Sequence, residues 1–261
     1  MANDGSGGTD GIMMSMAHLS LGGIGGGMVS PFEGTIAHKN ITTIAAPAEH
    51  YFIIDVSSSM SGDRIEGVLK GLNGMMFSGK SHVRANDTIT VFTFKGHAVR
   101  NVMDSQRPGD IDWNKLKRDT KIGDGTNMFD AIVAVMGHIR QVRSNMYARM
   151  RDERTVYAYC FTDGEDTSST SCTINDASDI LTNMEPGNGI SSFSFFLMTY
   201  GMRSSLTKEY KRVLCTRKYI HIIAGGSHAG STVRDMADMY RGVTTIVTQG
   251  RSFVVNQRAG V

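Results

Sequence analysis

Five short apolar runs, separated by stretches with helical spacing, constrain this chain more than any other feature. The runs are YFIID, TITVFTF, VYAYCF, ISSFSFFLM and YIHIIA. After the first, Ile65, Val68, Leu69, Leu72 and Met76 recur at intervals of three and four, which predicts an amphipathic helix over about residues 62–77. The segment TITVFTF-KG-HAVRNVM reads as two strands joined by a tight turn, and IDWNKLKRD as a short helix. A longer helix is expected from Asn127 to Val142, with Met128, Ile132, Val135, Met136 and Ile139 facing inward. Further helices follow in INDASDILTNME, stopped by Pro186-Gly187, in LTKEYKRVLC and in STVRDMADMY, and TTIVTQGRSFVV reads as a final extended stretch. Strands that are apolar along their whole length need cover on both faces. The fold class expected is therefore α/β: a doubly wound, mostly parallel central sheet with helices on both faces and one antiparallel edge strand.

Glycine marks a shift along the chain, because ten of the 30 glycines precede residue 35. Residues 1–34 read as a flexible glycine-rich tail, 35–47 as a lead-in, 48–250 as the folded domain and 251–261 as a C-terminal tail. GGIGGGM has neither the spacing of a dinucleotide fingerprint nor a strand before it. The N-terminal stretch lacks a basic region followed by an unbroken apolar one, and no run is long enough to span a membrane. A cytoplasmic location is expected, with the sequons at Asn40 and Asn86 silent. Three cysteines, Cys160, Cys172 and Cys215, are odd in number and lack CxxC spacing, against a zinc site or disulfide framework. A formal charge of +2 does not by itself suggest nucleic acid. The basic cluster from Arg140 to Arg154 reads as a solvated helix end and loop.

The stretch GMMFSGKS matches a phosphate-binding P-loop letter for letter. Such a loop works when a strand delivers glycine-rich backbone amides and a helix N-terminus to a phosphate. Here the motif follows a helical stripe, with Met75, Met76 and Phe77 as its last inward turn. Gly79 then suits the position just past a helix end, and Lys80 complements the dipole there. The match is a helix ending, and nucleotide hydrolysis is the weaker alternative.

DVSSSM occupies the place the P-loop lacks, between a strand and a helix. Ligands gather beyond the carboxyl ends of strands in open parallel sheets. Asp55, Ser57 and Ser59 alternate there, so one carboxylate and two hydroxyls can aim at a common point. Two other loops should end on the same edge: GDGTNMF, with Thr126, and CFTDGED, with Asp163. Asp55, Ser57, Ser59, Thr126 and Asp163 form an all-oxygen set suited to Mg2+, or to Mn2+ or Ca2+. The helix after Ser59 points its positive end at the site, a penalty of roughly 0.3–1 kcal/mol that two carboxylates outweigh.

DVSSSMSGDR, GDGTN and FTDG together resemble the three loops of a von Willebrand factor type A domain with an intact metal-ion-dependent adhesion site (MIDAS), over about residues 48–250. The resemblance implies a Rossmann-like fold and direct coordination by Ser57, Ser59 and Thr126. It implies that Asp55 and Asp163 act directly or through water. It further implies a protein partner whose Asp or Glu carboxylate completes the metal shell. Ser58 stands where many relatives have glycine, which removes no ligand.

Other residues have plainer readings. Ser61 is expected to cap the first helix, Asp63 to be a first-turn acid and Arg64 a surface base. Met60 is either a rim contact or packed. Glu165 and Asp166 belong to a solvated loop rather than a second cation site. His82, His97, His138, His221 and His228 are scattered, and no nucleophile–base pair is evident. The expected function is thus a non-enzymatic, cation-dependent protein-binding module, with a Mg2+-dependent hydrolase and an RNA-associated scaffold as alternatives.

Overall fold

In the computed structural model, six strands form one sheet in the order β3-β2-β1-β4-β5-β6. The strands are β1 (Ala48–Asp55), β2 (Thr88–Lys95), β3 (Ala98–Gln106), β4 (Arg154–Thr162), β5 (Ile190–Thr199) and β6 (Ile220–Ala224). All pairs are parallel except β2 with β3. The helices are α1 (Asp63–Phe77), α2 (Trp113–Asp119), α3 (Met128–Met150), α4 (Ile174–Thr182), α5 (Ser204–Leu214) and α6 (Thr232–Arg258). The structure describes residues 46–77, 81–225 and 232–258, all within the compact unit Ile44–Val261. The expected tail over 1–34, most of the lead-in, His228, and Gly79 and Lys80 at the end of GMMFSGKS lie outside the described residues.

Strand alternation sends side chains to two cores. Phe52, Ile54, Tyr159, Phe161, Phe196 and Met198 pack with α1 and α6, through residues such as Leu72, Met76, Met239 and Val243. Ile53, Phe94, Ala158, Cys160, Phe195 and Leu197 pack on the other side with α3, α4 and α5, through Ile132, Met136, Leu181 and Leu214. Buried on both faces, β1 and β4 take the centre. The antiparallel β3 carries Arg100, Asn101, Asp104 and Gln106 and takes the edge.

Three expectations are corrected. The stretch TTIVTQG is not extended: it continues α6, which runs to Arg258. Met236, Met239, Tyr240, Val243 and Val247 keep one helical face buried against α1, and this burial overrides the strand propensity of the threonines and valines. The hydroxyls of Thr244, Thr245 and Thr248 satisfy themselves on the carbonyls four residues earlier. Second, α3 extends to Met150, so much of the basic cluster is helical and Arg143 is wholly buried. Third, α1 begins at Asp63, directly after Gly62 at φ +71°, so Gly62 rather than Ser61 precedes the helix.

Candidate functional site

The strand order reverses between β1 and β4: the chain runs outward from β1 to β2 on one side and from β4 to β5 on the other. A crevice forms beyond the carboxyl ends of such strands. Asp55 is the last residue of β1, and Asp163 follows the last residue of β4. Parallel pairing of Ile54 with Phe161 therefore brings the two carboxylates to one edge of the sheet.

Asp55 is buried, and each of its oxygens is anchored. Oδ1 accepts from the Ser57 amide at 2.8 Å, and Oδ2 accepts from the Thr162 hydroxyl at 2.8 Å. Burial pushes its carboxyl up from the ordinary value; hydrogen bonds from Ser57 and Thr162 pull it down, and the nearby Asp163 charge adds to the rise. After Asp55 the chain makes a single 3-10 turn, Ser58–Met60, closed by the Met60 amide on the Ser57 carbonyl at 3.0 Å. Met60 packs into the core, and so settles as a buried residue rather than a rim contact. The turn leaves Ser59 exposed, and its hydroxyl lies 3.0 Å from Ser57 Oγ and donates to Asp163 Oδ1 at 2.8 Å.

Thr126 reaches the same edge on its own loop. Ser57 bridges Gly123, the Gly123 amide donates to the Val56 carbonyl at 2.9 Å, and the Gly96 amide donates to the Gly125 carbonyl at 2.9 Å. Gly125 has φ +76°, a conformation that suits glycine. The Thr126 carbonyl accepts the amides of Thr167 and Ser168, tying this loop to the one after β4. Asp55, Ser57, Ser59 and Asp163 are thus joined by hydrogen bonds, while the Thr126 hydroxyl has none among the described residues.

Sequence reasoning missed Arg64 at this site. Its guanidinium pairs with Asp163 Oδ2, donates to the Ser59 carbonyl at 3.0 Å and lies 5.6 Å from the Tyr200 ring centroid. Glu165 pairs with Arg203, and Asp166 accepts from the Phe129 amide at 2.8 Å and from Ser169. Asp166 therefore braces the start of α3. Asp130 reciprocates by accepting from the amides of Thr170, Ser171 and Cys172.

The donor set fits a small hard cation. Six ligands at about 2.0–2.1 Å keep neighbouring oxygens about 2.9 Å apart. Ser57, Ser59 and Asp163 already place oxygens 3.0 and 2.8 Å apart, so shared protons could give way to an ion with little movement. Among the described residues, the buried side-chain polar atoms lacking a partner are the Asn127 amide and the Thr199 hydroxyl. Both lie near this edge: Asn127 follows Thr126, and Thr199 pairs in register with Thr162. Buried polar groups left unpaired call for a water or an ion. No cluster of three or more His, Cys, Asp or Glu among the described residues could hold a metal, so any ion here depends on hydroxyls.

The competing features have other roles. GMMF is helical through Phe77, and the Ser81 hydroxyl reaches back to the Met75 carbonyl, so no strand precedes the motif. Met75 and Met76 face inward as expected, but Phe77 points out, 57% exposed, and meets the edge of Trp113. Arg143, expected on a solvated surface, is buried with its guanidinium on Glu49, the Asp152 carbonyl and the Gly189 carbonyl. His82 lies in a buried network: its Nε2 and His50 Nδ1 both meet the Tyr159 hydroxyl, at 2.9 and 3.0 Å. No helix among the described residues is long and apolar enough to cross a membrane.

A family model described as von Willebrand factor type A domain matches residues 51–247. Proximal thread matrix protein 1 from the mussel byssus is 15% identical, with 76% of this chain and 46% of that chain covered and a TM-score of 0.47. A structure of the same mussel protein with a zinc-occupied MIDAS motif is 16% identical, with coverage of 76% and 46% and a TM-score of 0.47. The open conformation of the pilus adhesin SpaC from Lactobacillus rhamnosus GG is 10% identical, with 77% of this chain and 30% of that chain covered and a TM-score of 0.52. This chain thus spans less than half the length of each of these proteins. No curated protein matches the chain.

Proposed function

The chain belongs to the von Willebrand factor type A domain family, whose members are metal-dependent protein-interaction modules, and we propose that it binds a protein partner through a divalent cation. Ser57, Ser59 and Thr126 would hold the ion directly, with Asp55 and Asp163 acting directly or through water. Mg2+ suits this set of hard oxygens, and Mn2+ or Ca2+ are close substitutes. When bound, the ion supplies a positive centre on which an acidic group of the partner completes the shell. The observation that carries the reading is the hydroxyl–carboxylate chain Ser57–Ser59–Asp163 at an open edge of the sheet, with oxygens already at ligand-to-ligand spacing.

The chain's own residues prepare that edge. Thr162 and the Ser57 amide fix both Asp55 oxygens, so the buried carboxylate cannot rotate away. The 3-10 turn anchored by Met60 sets the two serine hydroxyls side by side. A non-enzymatic role is the reading that membership in a family of interaction modules supports. An intracellular setting is supported by three free cysteines, since such thiols persist in reducing compartments. The binding unit is read as residues 48–250, with glycine-rich sequence before it.

Calorimetric titration of the chain with Mg2+ and Mn2+ tests the reading. One ion should bind per chain, and Asp55→Ala should abolish uptake. Immobilised chain should then retain a lysate protein in Mg2+ and release it on chelation. Absence of ion uptake by the folded wild-type chain would refute the proposal.

A further inference from the structure

We propose that Arg64 sets the affinity of this site for its cation by occupying Asp163 with its own charge until an ion displaces it. The inference rests on the cation-binding reading above and adds a residue to it. Arg64 stands in the first turn of α1, just beyond the 3-10 turn that carries Ser59. One guanidinium nitrogen, Nη1, serves both the Ser59 carbonyl and Asp163 Oδ2. The face of Tyr200 supports the group from 5.6 Å. The Asp163 side chain is 1% exposed while that of Arg64 is 38% exposed, so the arginine covers the solvent side of the carboxylate.

Charge makes this contact a competition. Asp55 and Asp163 bring two carboxylates to one small site, where like charges repel. A guanidinium remains charged at any working pH and relieves part of that repulsion. A divalent ion relieves more, but it must reach the same carboxylate and is itself repelled by the arginine. Ion and guanidinium therefore exclude each other at Asp163. A site competent only when Arg64 has swung away binds with an apparent Kd raised by the inverse of the open fraction. With about one molecule in ten open, the penalty is about tenfold.

Calorimetric titration of the full chain with Mg2+ and Mn2+, comparing wild type with Arg64→Gln and Arg64→Lys, tests this. Arg64→Gln should bind about tenfold more tightly. Arg64→Lys is the decisive variant, because it keeps the charge but lacks the planar guanidinium that rests over the Tyr200 ring while Nη1 reaches Ser59 and Asp163. It should bind several-fold more tightly than wild type; if only the general field of a nearby cation mattered, it would match wild type. Equal affinity of Arg64→Lys and wild type, or weaker binding by Arg64→Gln in a chain with an unchanged melting temperature, overturns the proposal. Should Arg64→Gln not fold, the lysine variant alone decides. If no chain takes up an ion, the cation-binding reading falls first. Uptake by all three at one affinity sinks only the role of Arg64.

Discussion

The Ser59 hydroxyl donates to Asp163 Oδ1 at 2.8 Å across a separation of 104 residues. No local preference can form this bond. It exists because β1 and β4 pair in parallel and end together, so the turn after one meets the loop after the other. Such a bond adds about 0.5–1.5 kcal/mol to stability. Ser59→Ala should therefore lower the melting temperature by only about 2–4 °C. Its effect on Mg2+ affinity should be larger, a loss of about tenfold or more, as expected when a group that supports a metal is removed. Calorimetric melting and titration of one preparation check both numbers. A stability loss with unchanged ion affinity would make Ser59 a brace and not a ligand.

Asp87 should govern the acid stability of the opposite end of the sheet. It accepts from the amides of Ala48 and Arg84, each at 2.8 Å, and meets His50 Nε2 at 3.2 Å. Burial alone would push its carboxyl up, but hydrogen bonds from His50, Ala48 and Arg84 outweigh it and hold the group well below the usual carboxylate range. A depressed folded value means a contribution that is complete above the unfolded value of about 3.9 and is lost as pH falls toward the folded value. At neutral pH, Asp87→Asn should cost about 3 kcal/mol, the scale of a broken buried pair. Urea unfolding between about pH 2 and pH 6 should show the gap between wild type and variant narrowing as pH falls. A gap that stays constant across that range would assign the effect to another group.

Two glycines of α1 should respond to alanine in opposite directions. Alanine ordinarily favours a helix interior over glycine by about 0.8–1 kcal/mol. At Gly74 a Cβ would meet no described atom within 4 Å, so Gly74→Ala should stabilise by about that amount. At Gly71 a Cβ would overlap the Tyr240 ring, with Cδ2 only 2.6 Å away. Tyr240 is buried, and its hydroxyl donates to the Val68 carbonyl at 3.1 Å, so the ring cannot easily retreat. Gly71→Ala should destabilise by about 1–3 kcal/mol. The pair, compared by denaturant unfolding, also tests whether GMMFSGKS is a helix ending. A destabilising Gly74→Ala would argue that this glycine serves some other conformation.

The limits of the sequence lie where partners are distant. Periodicity located all six strands and most helix faces, because Val68, Leu72 and Met76, or Ile132, Val135 and Met136, declare their buried side within one or two turns. Asp55 and Asp163 were legible because each ends an apolar run, and strand ends fix where loops gather. α6 was misread past Tyr240 because Thr244, Thr245, Ile246 and Val247 favour strands locally, while the burial of Val243 and Val247 depends on α1. Charged side chains were the least legible. Arg64 finds Asp163 across 99 residues and Arg143 finds Glu49 across 94, and neither neighbourhood hints at the partner. Asp166 and Asp130 brace each other's segments for the same long-range reason.

Arg143 should prove among the most sensitive positions in the chain, although its sequence context is that of a basic surface. Its guanidinium lies at the amino-terminal ends of three strands. It donates to Glu49 Oε1 at 2.8 Å in β1, to the Asp152 carbonyl just before β4 and to the Gly189 carbonyl, at 3.1 Å, just before β5. Gly189, at φ +91°, could not carry a Cβ without striking the Arg143 backbone carbonyl and Tyr147, so this loop lies directly against α3. Removing the cation leaves Glu49 and the Asp152 and Gly189 carbonyls short of their donor, and breaking a buried pair from one side costs about 3–5 kcal/mol. Arg143→Met should lose that much by denaturant unfolding. Arg143→Lys should recover only part, since an ammonium cannot spread donors in a planar fork to three acceptors. Full recovery by lysine would mean that charge alone holds these strand ends together.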